Sequence, residues 1–307
     1  MSIVVGVAPG HPSEAAVRLG VLLARSYDKD LVVASINSAA WPPAASGVDT
    51  EYQEFLIANA EAALDVARAF VPADITARYL VHGASSARRG LLEVCAEEGA
   101  MRLVVGSAGD AGEGAVIALG SVSTGLLQSA DLPVAIAPHG FAPAEGARLS
   151  RISAAYSGSD TSAELMLGAA GIASEVGVDF RIVSFRTRPR GFQAAGAGFD
   201  AEAGVAEAWE ASIRERADEI FGEIERFKDL PQSLEIAVGA GENWSAALRS
   251  IDWRDDEALT VGSSSLGLFG RISLGSHAAK IVRNSPVPVV MVPRRAVEEY
   301  AAQAEGA

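Results

Sequence analysis

Two glycine- and serine-rich segments hold the residues whose types and spacing suggest chemistry. The first carries Gly106, Gly109, Gly120, Ser121 and Ser123; the second carries Gly262, Ser265, Arg271, Gly275 and Ser276. Each follows an apolar run of strand length and ends on a Gly-Ser pair where a helix is expected to begin. Glycine lets a main chain approach a ligand closely. The first N–H groups of a helix have no partner within it and lie at its positive end. A hydroxyl at Ser121 or Ser276 adds a further donor, and Arg271 a cation. Phosphate is the ligand such a loop suits. A turn from strand to helix can demand glycine for packing alone, so a purely structural reading competes. The recurrence of the same Gly-Ser start weighs toward binding.

The elements that must position these residues come in two copies. Gly120, Ser121, Pro133, Val134 and Pro138 correspond to Gly275, Ser276, Pro288, Val289 and Pro293 at a constant offset of 155, whereas Gly106 and Gly262 differ by 156. The first loop is therefore one residue longer. A period this long is that of a domain, not of a solenoid repeat. Short Val/Ile/Leu-rich runs at Ile3–Val7, Leu31–Ile36, Ile75–Val81, Leu103–Val105 and Val134–Ala137 are expected strands. They have counterparts at Ile152–Tyr156, Phe180–Phe185, Leu234–Val238, Ala258–Val261 and Val289–Val292. Between them lie segments of helical period. Tyr52, Phe55, Leu56, Ala63, Val66, Ala67 and Phe70 form one apolar stripe, with Thr50 and Gln53 as a capping box at its start and Pro72 as its end. A second long helix is expected over 203–228, after a Gly- and Arg-rich loop spanning Arg186–Gly198. Strands apolar on both faces and alternating with helices predict an α/β fold of two doubly wound domains with parallel sheets. The boundaries fall at 1–145 and 148–295, leaving residues 296–307 as a tail.

The chain is 49% hydrophobic with a net charge of −14. Residues up to Gly146 hold 16 acidic and 8 basic side chains, and the remainder 23 and 17. Neither half has the basic face that a phosphate backbone requires, so nucleic acid is not an expected partner. The apolar runs are too short to span a bilayer, so no membrane association is expected. The opening "MSIVVGVAPG" enters a strand directly, and Cys95 is the sole cysteine. A cytoplasmic location is the expectation.

No Gly-x-x-x-x-Gly-Lys phosphate loop and no Gly-x-Ser-x-Gly nucleophile elbow occur, and the four histidines show no ligand spacing. An enzyme is not expected. Slow ATP hydrolysis would need a metal-binding acid in the loop, for which Asp110 and Glu113 are the candidates. Cys95 lies in "GLLEVCAEEG" and is expected as a buried structural thiol. Ser159 or Asp160 is expected to cap a helix. His277, next to Gly275-Ser276, is a candidate phosphate contact or an exposed helix residue. Trp41 in a Pro-rich loop is expected to pack on the long helix.

The paired loops resemble the universal stress protein family in its tandem form, whose mark is Gly-x2-Gly-x9-Gly-(Ser/Thr) followed by Pro-Val. Both halves match over nearly their whole length. The resemblance implies a five-stranded parallel sheet of order 3-2-1-4-5 in each half, with helices on both faces. It also implies regulatory binding of ATP in a stress response, with ADP or AMP not distinguished, and an unidentified protein partner. The copies depart from the mark. Ten residues separate Gly109 from Gly120, and Ser265 stands where the second glycine belongs. ATP-binding members carry an Asp at the end of the first strand; this chain has Ala8 and Ser157 there. A nucleotide-independent interaction or scaffold protein with degraded sites is the alternative.

Loop charge distinguishes the halves, since the first loop holds Asp110 and Glu113 and the second Arg271. The second half is therefore the expected better nucleotide site. The runs "PVAIAP" and "PVVMVP" would be exposed apolar edges as last strands. They are expected to pair with each other as an internal pseudo-dimer, with Ile136 and Met291 in equivalent places, and a further homodimer stays open.

Overall fold

A computed structural model describes residues 1–38, 47–109, 117–187, 199–263, 275–294 and 296. In the first half the order is β1 (Ser2–Val7), α1 (Glu14–Tyr27), β2 (Asp30–Ser38), α2 (Gly47–Arg68), β3 (Ala77–Ala84), α3 (Ala87–Glu97), β4 (Ala100–Gly106), α4 (Ser121–Ser129) and β5 (Val134–Ala137). The second half repeats it as β6 (Arg151–Ala155), α5 (Asp160–Val176), β7 (Asp179–Thr187), α6 (Phe199–Ile224), β8 (Leu234–Gly241), α7 (Trp244–Arg249), β9 (Glu257–Gly262), α8 (Ser276–Asn284) and β10 (Val289–Val292).

All ten strands form one sheet of order β3-β2-β1-β4-β5-β10-β9-β6-β7-β8. Each half thus has the order 3-2-1-4-5. Every pairing is parallel except β5 with β10. Ile3, Val5, Leu31 and Val33 face one side with α1, α2, α5 and α6, while Val4, Val32, Leu103 and Leu259 face the other with α3, α4, α7 and α8. Burial on both faces explains why these strands are continuous in Val, Ile and Leu rather than alternating.

The junction between halves is an isologous pair about a pseudo-twofold axis. Val289 lies opposite Ile136, Val290 opposite Ala135, and Met291 opposite Val134. Ile136 is fully buried and Met291 is 3% exposed. Neither last strand is therefore an open edge.

Beneath the second half, at the amino ends of its strands, lies a buried ionic cluster. Glu257 is 0% exposed and its carboxylate accepts from Arg151 Nη2 (2.7 Å), Arg181 Nη2 (2.7 Å), the Arg254 amide (3.1 Å) and the Ser153 hydroxyl. Both arginines also donate to the Asp252 carbonyl, at 3.0 and 2.9 Å.

Two sequence expectations are corrected. α2 begins at Gly47, ahead of the Thr50 capping box, and ends at Arg68 rather than at Pro72. Its stripe is split: Ala60, Ala63, Leu64 and Ala67 are buried, whereas Tyr52, Phe55 and Val66 are exposed. Two apolar arcs overlap on this helix, and the small residues pack on the sheet because they allow close approach. Arg186, assigned to a loop by composition, belongs to β7, which pairs with β8 as far as Thr187. The long helix spans Phe199–Ile224. The tail beyond Ala296 lies outside the described residues.

Candidate functional site

Strand order reverses on either side of β1 and of β6, and a crevice opens beyond the carboxyl ends of the strands at such a point. Each half has a cavity there.

The second-half cavity, of about 790 Å³, is bounded by the ends of β6, β7 and β9, the start of α8, and walls from α6 and α7. Gly275 is the N-cap of α8 and supplies no side chain to bond the amides of the first turn. Those donors stay available where Gly275, Ser276 and His277 line the space. His277 is exposed, and its ring centroid lies 5.3 Å from that of Trp244, which is in turn 6.3 Å from that of Phe185. Arg186 lines the cavity, and its buried Nε has no hydrogen-bond partner. A buried donor left unmade is costly, and the side chain that carries it stands in the cavity wall. Ser157 also lines the cavity, but its hydroxyl lies 3.1 Å from Ser159 Oγ and donates to Ser162 Oγ at 3.2 Å. Ser159 caps α5 in a capping box with Ser162. Gly262 closes the floor at the end of β9. Ser265 and Arg271 lie outside the described residues.

The first-half cavity, of about 1250 Å³, gathers Ala8, Gly106, Gly109, Gly120, Ser121 and Ser123. Ala8 is exposed in a turn after β1, its carbonyl accepting from the His11 amide at 3.2 Å. A Cβ on Gly106 would stand 2.2 Å from Ser13 Oγ, the N-cap hydroxyl of α1. Gly106 is thus required by helix packing before any ligand is considered. Gly109 has φ +60, in the left-handed region that favours glycine. Gly120 caps α4 without a side-chain bond, as Gly275 caps α8. Ser121 is exposed, whereas Ser123 is buried and returns its hydroxyl to the Gly120 carbonyl at 3.2 Å. Ser107 Oγ accepts from the Ala118 amide at 2.8 Å, tying the end of β4 to the entry of α4. Asn37 lines this cavity too, and its buried Oδ1 has no partner. Asp110, Glu113 and Trp41 lie outside the described residues.

The structure therefore brings the candidate residues that it describes around two cavities, one per half. Sequence reasoning missed Arg186, Asn37, Trp209 and Trp244. For Arg186 a signal existed: Phe180, Ile182 and Ser184 alternate toward it along one face of β7, a period-two pattern that outweighs local loop composition.

Cys95 sits apart from both cavities. It is buried in α3, and burial pushes its thiol up to about 12. The nucleophilic thiolate is then scarce at neutral pH. Iodoacetamide at pH 8 is expected to leave the folded chain unlabelled and to label it once in urea, as read by intact mass. Labelling of the native chain at the rate of a free thiol would show that the helix opens. Among the described residues no group of three His, Cys, Asp or Glu side chains is placed to hold a metal ion, and no helix is long and apolar enough to cross a membrane.

The sequence model of the universal stress protein family matches residues 1–138 and again residues 149–293. Universal stress proteins of Mycobacterium tuberculosis and of Mycobacterium bovis are each 35% identical over 301 residues, spanning 95% of this chain and 100% of the relative. A solved universal stress protein structure from Archaeoglobus fulgidus has a TM-score of 0.61 at 19% identity, covering 95% of this chain and 98% of that one. That likeness shows the fold.

Proposed function

Because this chain belongs to the universal stress protein family, with two copies of the family domain in tandem, we propose that it is a regulatory adenine-nucleotide-binding protein whose better ATP site is in its second half. The nucleotide acts as a signal that changes how the chain meets a protein partner, not as a substrate to be turned over. The observation that carries this reading is the unpartnered Arg186 Nε in the wall of a cavity entered by an uncapped helix start. A phosphorylated ligand would offer acceptors both to the arginine and to the amides of Ser276 and His277. Trp209 and Trp244 in the same wall offer flat apolar surface for a base. No carboxylate is among the described residues lining it, whereas Glu14 lines the first cavity.

Binding needs no catalytic group from the chain. Gly262 and Gly275 leave room for the phosphates, Ser276 adds a hydroxyl, and Arg186 neutralises charge. Gly106, Gly109, Gly120 and Ser121 would line a site in the first half that is poor for phosphates.

One observation favours the alternative, a nucleotide-independent interaction protein. Ala8 has no polar side chain to reach a base, and the Ser157 hydroxyl is engaged with Ser159 and Ser162. Titration of the whole chain with ATP, followed by tryptophan fluorescence, separates the two. Arg186→Gln is expected to weaken ATP roughly tenfold or more, with Asn37→Ala unchanged. The whole chain is used because β5 and β10 share one sheet. No ATP binding by the unaltered chain, or equal affinity in Arg186→Gln, would leave the scaffold reading.

A further inference from the structure

The two cavities are built on one plan but differ in charge at equivalent positions, Asn37 against Arg186 and His139 against Arg294. β1 and β2 start in register with Ser2 opposite Asp30; β6 and β7 start with Arg151 opposite Asp179. Counted from those aspartates, Asn37 and Arg186 are each the eighth residue of a nine-residue strand. Each lines the cavity of its own half, and each leaves a buried polar atom without a partner: Oδ1 of Asn37 and Nε of Arg186. Ser35 Oγ, Arg102 Nε and Arg151 Nε are also buried without a partner, but none of those residues lines either cavity. A buried polar atom without a partner is uncommon in a native fold. Asn37 and Arg186 stand apart because they share one register position and each lines a cavity, which points to ligand-reading residues.

From this we infer that the residue at this position selects the ligand of each half, so that the chain holds two sites of different charge selectivity. Arg186 makes the second cavity a site for phosphorylated ligands. Asn37 makes the first a site for an uncharged nucleoside. The nucleoside body is taken from the function proposed above; the charge rule is new and rests on the contrast between Asn37 and Arg186.

The chemistry follows from the two side chains. A carboxamide presents a donor and an acceptor side by side and pairs with a heterocycle edge that does the same. It carries no charge to balance a phosphate. No Lys or Arg is among the described residues that line the first cavity; Glu14 is, paired with Arg18 at 2.6 Å, and so are His11 and His139. The open helix starts at Gly120 and Gly275 are common to both cavities and cannot discriminate between them. Discrimination must come from what differs. The space of about 1250 Å³ is ample for a nucleoside.

Exchange of the two residues in the full chain tests the inference, with adenosine, inosine and AMP as probes in equilibrium dialysis. For the unaltered chain, one equivalent of adenosine or inosine is expected, which Asn37→Leu abolishes without changing AMP binding. Asn37→Arg is expected to lose the nucleoside at least tenfold and to raise AMP from one equivalent to two. Arg186→Asn is expected to lose AMP at least tenfold. With Trp41→Phe and Trp253→Phe in the background, fluorescence of Trp209 and Trp244, both in the second cavity, assigns each event to its half. If neither nucleoside binds the unaltered chain, or if a folded Asn37→Leu binds it unchanged, the inference is overturned whatever AMP does. If AMP alone fails to bind, the function proposed for the second half falls, while loss of adenosine in Asn37→Leu would still uphold the reading of the first. Circular dichroism melting establishes folding, and Asn37→Ala replaces Asn37→Leu should the latter not fold.

Discussion

Glu257→Ala is expected to lower stability by about 3–5 kcal/mol in urea titration, the range for leaving buried partners of an ion pair uncompensated. Glu257 is fully buried, and the side chains of Arg151 and Arg181 are 6% and 5% exposed. Burial already lowers the proton affinity of Arg181 from its ordinary value, and the charge of Glu257 is the largest opposing influence. Alanine removes that compensation and the acceptors for both guanidinium groups, the Ser153 hydroxyl and the Arg254 amide. Glu235 reaches Arg151 at 3.1 Å but is partly exposed and cannot replace it. The large cost of breaking the cluster does not measure its net worth. Replacing all three residues by apolar ones of similar volume (Arg151→Met, Arg181→Leu, Glu257→Met) is expected to retain most of the stability. A loss below about 1 kcal/mol in Glu257→Ala would mean that water reaches the cluster.

The second large effect is expected at the seam. Ile136→Asp and Met291→Asp should each cost about 4 kcal/mol, since each buries a charge with no partner at the centre of the sheet. Ile136 meets Val289, and Met291 meets Val134, in pairs related by the pseudo-twofold axis. The two variants should therefore fall by similar amounts, and size exclusion should show association through the freed edges. Met291→Leu, which conserves volume, should stay within about 1.5 kcal/mol of the unaltered chain. Wild-type melting in both charged variants would mean that the seam does not hold the halves together.

How far the sequence was legible depends on how local the governing force is. The four-residue strands β5 and β10 were found to the residue, because prolines bracket short apolar runs and stop them chemically. The Gly-Ser helix starts were equally legible. By contrast, the stripe on α2 was misread at Tyr52, Phe55 and Val66. A helical period marks an apolar arc, but two overlapping arcs give nearly the same period, and only contact with the sheet chooses between them. Arg186 was lost to a loop because its neighbours Arg188 and Arg190 are charged, although pairing with β8 extends the strand through it.

The site divides the same way. That two loops of one design could bind an anion followed from residue types and spacing. Which groups stand unsatisfied in each cavity did not. Asn37 and Arg186 are ordinary polar residues until the neighbouring strands and helices of each half close around them and leave a buried atom without a partner. The acceptor bonds of Glu257 likewise join residues up to 106 apart in the chain.

The sequence by itself determined the duplication, the alternation of strand and helix, and the place of the two loops, because turn chemistry and apolar period act over a few residues. The tertiary structure decided the buried charge cluster and the contrast between the two cavities, and it set the register of a seam that the sequence already anticipated. Those depend on solvent exclusion by segments distant in the chain, and solvent exclusion sets the cost of leaving a charge or an amide alone.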